Sequence, residues 1–418
     1  MEPAISPPID RRGIAPLFSR LRSAGGQADP FSIYGKLASM GKVVAAPWGG
    51  HVVTSYDLCD HVLRSREDWL ELDASWRGRQ PESARWTSLA SREMSRTLPS
   101  LNGEEHQRVR RSAGSMFGGS ALDDLQAPVT VITRKLLDRL EEELDAGEGD
   151  FHVTVSEELP VATIGHWLAL PEADHPLLRE LTRDMVYTQE LLPSASQLAH
   201  SDLAIGRLRR YFRSLIAERR NHLGDDPVSR WIVAWDRIER DRDAADDGVY
   251  HLVLFVLLAA LETTASMLSQ VVLALMNHPA QWDHLTRHPE DVPGAVEEAL
   301  RYDPPTHVIT RVARHDTVLE GVEVKADETV HLMVAAAGRD PERHNDPDSF
   351  DIHRRRQGHL AFSSGVHYCL GAPLARLEAH TLLHGLLRRF PRLHLARTPQ
   401  WAPRVVFRRP RSLPVALA

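Results

Sequence analysis

Several things are scarce in this sequence, and each shortage excludes something. In 418 residues there are two cysteines, Cys59 and Cys369. They supply neither a disulfide framework nor a Cys-x-x-Cys zinc pattern, and they fit a reducing, cytoplasmic compartment. Basic charge is not in excess: 50 Lys and Arg against 57 Asp and Glu leave a net −7. Nucleic-acid binding therefore has no electrostatic case. Long hydrophobic runs are also missing. The longest, residues 252–261, is ten residues, about half of the ~20 that a membrane-spanning helix needs. It reads as a helix buried on all sides. The first dozen residues hold no signal-peptide core, so a soluble chain without a membrane anchor is expected.

What is present is an ordinary globular composition, 42% hydrophobic and 26% charged. Asp29-Pro30 opens an amphipathic helix to about Met40. Segments 42–48 and 51–55 flank Gly49-Gly50, a hairpin signal, and Asp57 caps a helix carrying Cys59 as a small hydrophobe. Residues 69–100 show no period but hold Trp69, Trp76, Trp86, Arg77, Arg79 and Arg85. A loop of that length is usually functional or disordered, and three tryptophans argue against disorder. Helical spacing then predicts 104–117, 122–144, 156–170, 176–190, 197–222 and 227–238. Residues 239–247, mixed in charge, read as a solvated turn. Helices 249–277 and 293–302 follow, then strands 307–312, 317–319 and 329–334, a helix 372–390 ended by Pro391, and a closing hairpin of 404–407 with 413–416. The result is a single unit, mainly α with a small β region.

Four motifs carry chemistry. Phe362-Ser-Ser-Gly365-Val-His367-Tyr-Cys369-Leu-Gly371 puts a cysteine on a glycine-rich loop just before a helix with Pro373 in its first turn. The helix N-terminus favours thiolate there. Taken alone, the cysteine is better explained as a structural one beside a cap. Glu298-Ala-Leu-Arg301 is an i, i+3 ion pair on a helix, ordinary by itself. Ala259-Ala260-Leu261-Glu262-Thr263-Thr264 places polar groups in the most apolar helix, where they are costly unless paired. It reads either as a satisfied polar patch or as a notch lining a cavity. His106-Gln-Arg108-Val-Arg110-Arg111 sets His106 and Arg110 on one helix face.

In this order the four motifs resemble the cytochrome P-450 haem-thiolate family in its soluble bacterial form. The resemblance covers nearly the whole chain. Further matches are Ala337-Gly-Arg339-Asp340-Pro341 and the run from Asp346 to Arg354. It implies one P-450 domain over 1–418, with haem b between the long central helix and the cysteine-loop helix. By the same resemblance Cys369 is the iron ligand, with Leu370 and Gly371 amides directed at its sulfur and Phe362 shielding it. His106, Arg110, Arg311 and His367 match propionate-binding positions. Glu298, Arg301 and Arg354 match a structural network, and Glu262 with Thr263 the acid–alcohol pair that protonates dioxygen. Alanine stands at 260 where the family usually has glycine, which adds a methyl group near the oxygen site.

The resemblance further implies a monomeric monooxygenase taking electrons from a ferredoxin or flavodoxin, docked near Arg108, Arg111, Arg355 and Arg356. A small natural-product-like substrate would be hydroxylated or oxidatively coupled through C–C or C–N bonds. Leu257, Leu258, Leu261, Val308 and Val406 suggest an apolar pocket, with Trp76 and Trp86 to stack on a planar substrate and Arg77 or Arg79 to pair with a polar group. A peroxide-dependent peroxygenase and a non-catalytic haem sensor stay open as alternatives.

Overall fold

The structure, a computed structural model, describes residues 11–114, 117–355 and 358–418. The extreme N-terminal segment and Arg356 lie outside the described residues. By packing, the chain falls into two compact units.

The first unit takes the chain up to Leu72, then Gly294–Cys369 and Pro399–Arg411. Its five-stranded sheet runs in the order Val43–Ala45, His51–Val53, Thr329–Leu332, Ile309–Ala313, Trp69–Leu70. The first two strands form the hairpin that Gly49-Gly50 predicts, both glycines at positive φ. Only the pairing of His51–Val53 with Thr329–Leu332 is parallel within this sheet. The β-branched faces of these strands pack on the helix Tyr56–Arg64, whose N-cap is Ser55 rather than Asp57. Cys59 is fully buried in that core and its thiol donates to the Val53 carbonyl at 3.7 Å. Burial pushes its pKa up, so it stays a thiol.

The second unit holds Asp73–Pro293, Leu370–Thr398 and Ser412–Ala418. It is built on the 35-residue helix Arg242–Met276. That helix is apolar on all sides, which suits a core helix, and Glu158–Trp167, Ala195–Asn221, Pro227–Trp235 and Ala372–Arg389 pack around it. By length and composition it is apolar enough to cross a membrane, yet 78% of its most apolar stretch is buried inside the protein. Gly119–Asp145 lies along Ala372–Arg389. A small antiparallel sheet joins Gly149–Asp150, Pro414–Leu417 and Leu393–Leu395.

Three expectations change. Residues 69–100 are not one loop: they hold the strand Trp69–Leu70, helices Ala74–Arg79, Ala84–Thr87 and Leu89–Met94, and a 3-10 turn at Leu98–Ser100. The expected turn at 239–247 is mostly helix. Asp241 accepts from the Ala244 amide as N-cap, and Asp246 and Asp247 pair with Arg220 and Arg213, each at 2.5 Å. No closing hairpin forms from 404–407 and 413–416. Pro410–Ser412 pairs with Gln400–Trp401, while Pro414–Leu417 lies between Leu393–Leu395 and the distant Gly149–Asp150.

Candidate active site

Cys369 ends the first unit on a loop closed by its own backbone. Its amide donates to the Phe362 carbonyl at 2.9 Å, and the chain turns through Ser363 and Gly365, both at positive φ. At Gly365 a Cβ would lie 2.5 Å from the Leu63 carbonyl oxygen, so only glycine fits. Phe362 is buried, whereas Cys369 remains partly accessible. The next residues enter the helix Ala372–Arg389, with Gly371 as N-cap and Pro373 in the first turn. A thiol ahead of a helix N-terminus is the arrangement that favours thiolate.

The segment leading to this loop is tied down by buried charge. Arg301 donates to both Glu298 oxygens at 2.8 Å and to the carbonyls of Gly338, Pro347 and Ser349 at 2.8 to 2.9 Å. Arg354 reaches Glu298 at 3.0 Å, and the Asp351 amide donates to the same carboxylate at 2.9 Å. The i, i+3 pair is thus a junction for three chain segments and not a surface pair. It serves structure, as bidentate arginine geometry allows.

The cations expected to receive carboxylates are placed in each unit. In the first, Arg311 is buried on the strand Ile309–Ala313, and its Nη2 lies 2.7 Å from Glu71 Oε1. His367 Nε2 lies 3.5 Å from the same oxygen. Burial lowers the Arg311 pKa and the Glu71 charge opposes that. In the second unit His106 is buried and Arg110 half-buried, one turn apart on the helix Gly103–Gly114.

The central helix opens in its middle. Phe255, Ala259 and Thr263, spaced by four, stay at least partly accessible, as does Ala260, while Leu257, Leu258, Leu261 and Glu262 are buried. The Thr263 hydroxyl donates to the Ala259 carbonyl at 2.6 Å, the back-bond that loosens a helix. The tryptophan region differs from expectation. Trp76 and Trp86 meet edge to face at 5.1 Å, and Arg85 and Arg77 lie 4.6 and 5.5 Å from the centre of the Trp86 ring. The chain's own guanidiniums therefore take the stacking role assigned to a substrate, while Arg85 also donates to the Leu191 carbonyl and Arg79 to Ser75. Val308 and Val406 are buried in the first unit. Of the proposed docking arginines, Arg111 and Arg355 are exposed, and Arg108 is held by Glu239 at 2.8 Å.

Comparison with known proteins adds to this geometry. Residues 292–403 match the family model described as Cytochrome P450. A biotin biosynthesis cytochrome P450 of Bacillus subtilis (strain 168) is 30% identical over 93% of this chain and 96% of its own. The chain belongs to the cytochrome P450 family. An erythromycin C-12 hydroxylase of Saccharopolyspora erythraea is 37% identical over 70% of this chain and 72% of its own. The crystal structure of P450BioI with an acyl carrier protein bearing hexadec-9Z-enoic acid superimposes at TM-score 0.86, with 28% identity, covering 94% of this chain and all of that one. This P450 is a monooxygenase with the fold of its family, mainly helical with small sheets, and the family implies a haem-thiolate cofactor.

The residues present fit that group. A partly accessible cysteine at a helix N-terminus suits iron. In the first unit buried Arg311 suits a carboxylate; in the second, taken by itself, buried His106 does so too, and the open strip of alanines and threonine on an otherwise buried helix suits a flat face. Sequence reasoning missed Glu71, because its place beside Arg311 comes from strand register. It also missed Glu378, fully buried on the helix Ala372–Arg389, where burial pushes the carboxyl up to about 8 against a weaker opposing contact with Thr163.

Proposed function

We propose that this P450 binds haem b as one domain over 1–418 and hydroxylates or oxidatively couples a small, natural-product-like molecule, as a cytoplasmic monomer. Dioxygen and electrons from a ferredoxin-type partner complete the reaction. The named activities of its relatives, erythromycin C-12 hydroxylation among them, support the substrate class. The observation that carries the reading is the cysteine loop: a backbone-closed turn, a glycine no other residue can replace, and an accessible thiol at a helix N-terminus.

Cys369 would hold the iron as thiolate, with the Leu370 and Gly371 amides to tune the sulfur and Phe362 to shield it. His106, Arg110, Arg311 and His367 would hold the propionates by charge-assisted bonds. The bound haem supplies dioxygen activation. Glu262 would supply protons to Thr263. Thr263 passes them on when its hydroxyl leaves the Ala259 carbonyl and turns outward, and the apolar helix around the pair limits water. Ala260 narrows that face by one methyl group.

The test is turnover. A spectral-shift screen of natural-product scaffolds picks a substrate, which is then offered with a ferredoxin system or with hydrogen peroxide alone. Product at a higher rate with the ferredoxin system supports the reading. Faster turnover with peroxide indicates a peroxygenase, and haem binding with no product from any electron source indicates a sensor.

A further inference from the structure

The antiparallel pairing of Trp69–Leu70 with Ile309–Ala313 sets Trp69 against Ala313 and Leu70 against Val312. One step further along that register brings Glu71 opposite Arg311. The three groups Glu71, Arg311 and His367 are mostly buried, with side chains 9%, 6% and 13% exposed. At 2.7 Å one buried carboxylate faces one buried guanidinium, and His367 Nε2 lies beside the same carboxylate oxygen. A haem propionate brought to the same guanidinium sets a second carboxylate beside the first, and two carboxylates that close repel each other in a low-dielectric place.

We propose that Glu71 is the built-in counter-ion of Arg311 and competes with a haem propionate for it, so that its charge limits how tightly the cofactor is held. The inference rests on the haem reading above. Glu71 is a positioning residue in this account and acts through Arg311. Such an acid keeps a buried arginine paired until the cofactor arrives, at the expense of retention afterwards.

The experiment uses haem-loaded full-length protein and follows haem transfer to excess apomyoglobin in the Soret region. The variants are Glu71→Gln and, as a control with the same change in net charge, Glu67→Gln at an exposed position. Glu71→Gln is expected to slow haem loss by about tenfold, the effect of relieving one charge conflict at a buried guanidinium, and Glu67→Gln to leave it unchanged. Unchanged loss in Glu71→Gln overturns the proposal. Faster loss also overturns it, since Glu71 would then be supporting Arg311 for the propionate. In an Arg311→Gln background the Glu71→Gln effect should disappear, and persistence of the full effect refutes a route through Arg311. The wild-type ferrous–carbon monoxide spectrum separates the two levels. Without a thiolate band the haem reading itself fails, whereas a normal band with unaltered haem loss removes this inference alone.

Discussion

Glu298→Gln removes one charge and almost no volume from the junction that holds the cysteine-loop segment. The Glu298 carboxylate accepts four bonds: two from Arg301 at 2.8 Å, one from Arg354 at 3.0 Å and one from the Asp351 amide at 2.9 Å. A glutamine keeps one acceptor oxygen and turns an NH2 toward a guanidinium that also donates. Arg301, itself buried, keeps its three carbonyl partners but loses its counter-charge. Removing one partner of a buried ion pair costs about 3–5 kcal/mol. Losing two charge-assisted bonds at about 1.5–3 kcal/mol each gives a similar figure. Against a net stability of about 5–15 kcal/mol this is a large fraction. With a denaturant slope of about 3 kcal/mol/M, the urea midpoint should fall by about 1–1.7 M. Urea unfolding followed by circular dichroism, with haem content measured in parallel, checks this. A midpoint within about 0.3 M of wild type, or about 1 kcal/mol, would refute the claim that this network holds the loop.

Three further outcomes are expected. Gly365→Ala should destabilise the fold by more than the ~1 kcal/mol of an ordinary left-handed glycine, because its Cβ also meets the Leu63 carbonyl at 2.5 Å; wild-type haem content and midpoint would contradict this. Thr263→Ala should keep its haem yet divert reducing equivalents to peroxide, and unchanged product per NADPH would take Thr263 out of proton delivery. Glu378, pushed up to about 8 by burial, stays protonated in the fold while the unfolded chain releases its proton near 4.5. Its contribution to stability is therefore present below 4.5 and lost as pH rises towards 8, about 3–5 kcal/mol in all. Glu378→Gln should accordingly raise the melting temperature at pH 8 and flatten the pH dependence between 5 and 8. A lower melting temperature at pH 8 would show that Glu378 is stabilising when charged.

Much of the fold was legible where one element carries its own signal. The strand Thr317–Leu319 and the turn at Gly321 appear where expected. The helix Ala195–Asn221 starts at a Ser194–Gln197 capping box, two residues before the periodic pattern does. Residues 69–100 were opaque because helices of four to six residues are too short to establish a period. The acids in the first turns of the central helix looked solvated because Arg213 and Arg220, which neutralise them, come from another helix. Pro414–Leu417 finds its partners in Leu393–Leu395 and Gly149–Asp150, and local reading favours the nearer segment.

The site divides in the same way. The cysteine loop, Glu298 with Arg301, and Glu262 with Thr263 are short patterns visible in the sequence, and their order along the chain gives them meaning. Glu71 has no such pattern, since a lone acid after a two-residue strand means nothing until the register sets it beside Arg311. Trp86 looked available to a substrate because sequence does not show that Arg85 and Arg77 cover it.

The most direct test of the account is the ferrous–carbon monoxide difference spectrum of wild type, Cys369→Ala and Cys59→Ala. The account predicts the red-shifted band of thiolate-ligated haem in wild type and in Cys59→Ala, where the lost thiol is a buried core group, and its absence in Cys369→Ala. A fully haem-loaded wild type without that band, or a Cys369→Ala protein that keeps it, would contradict the assignment of Cys369 as the iron ligand.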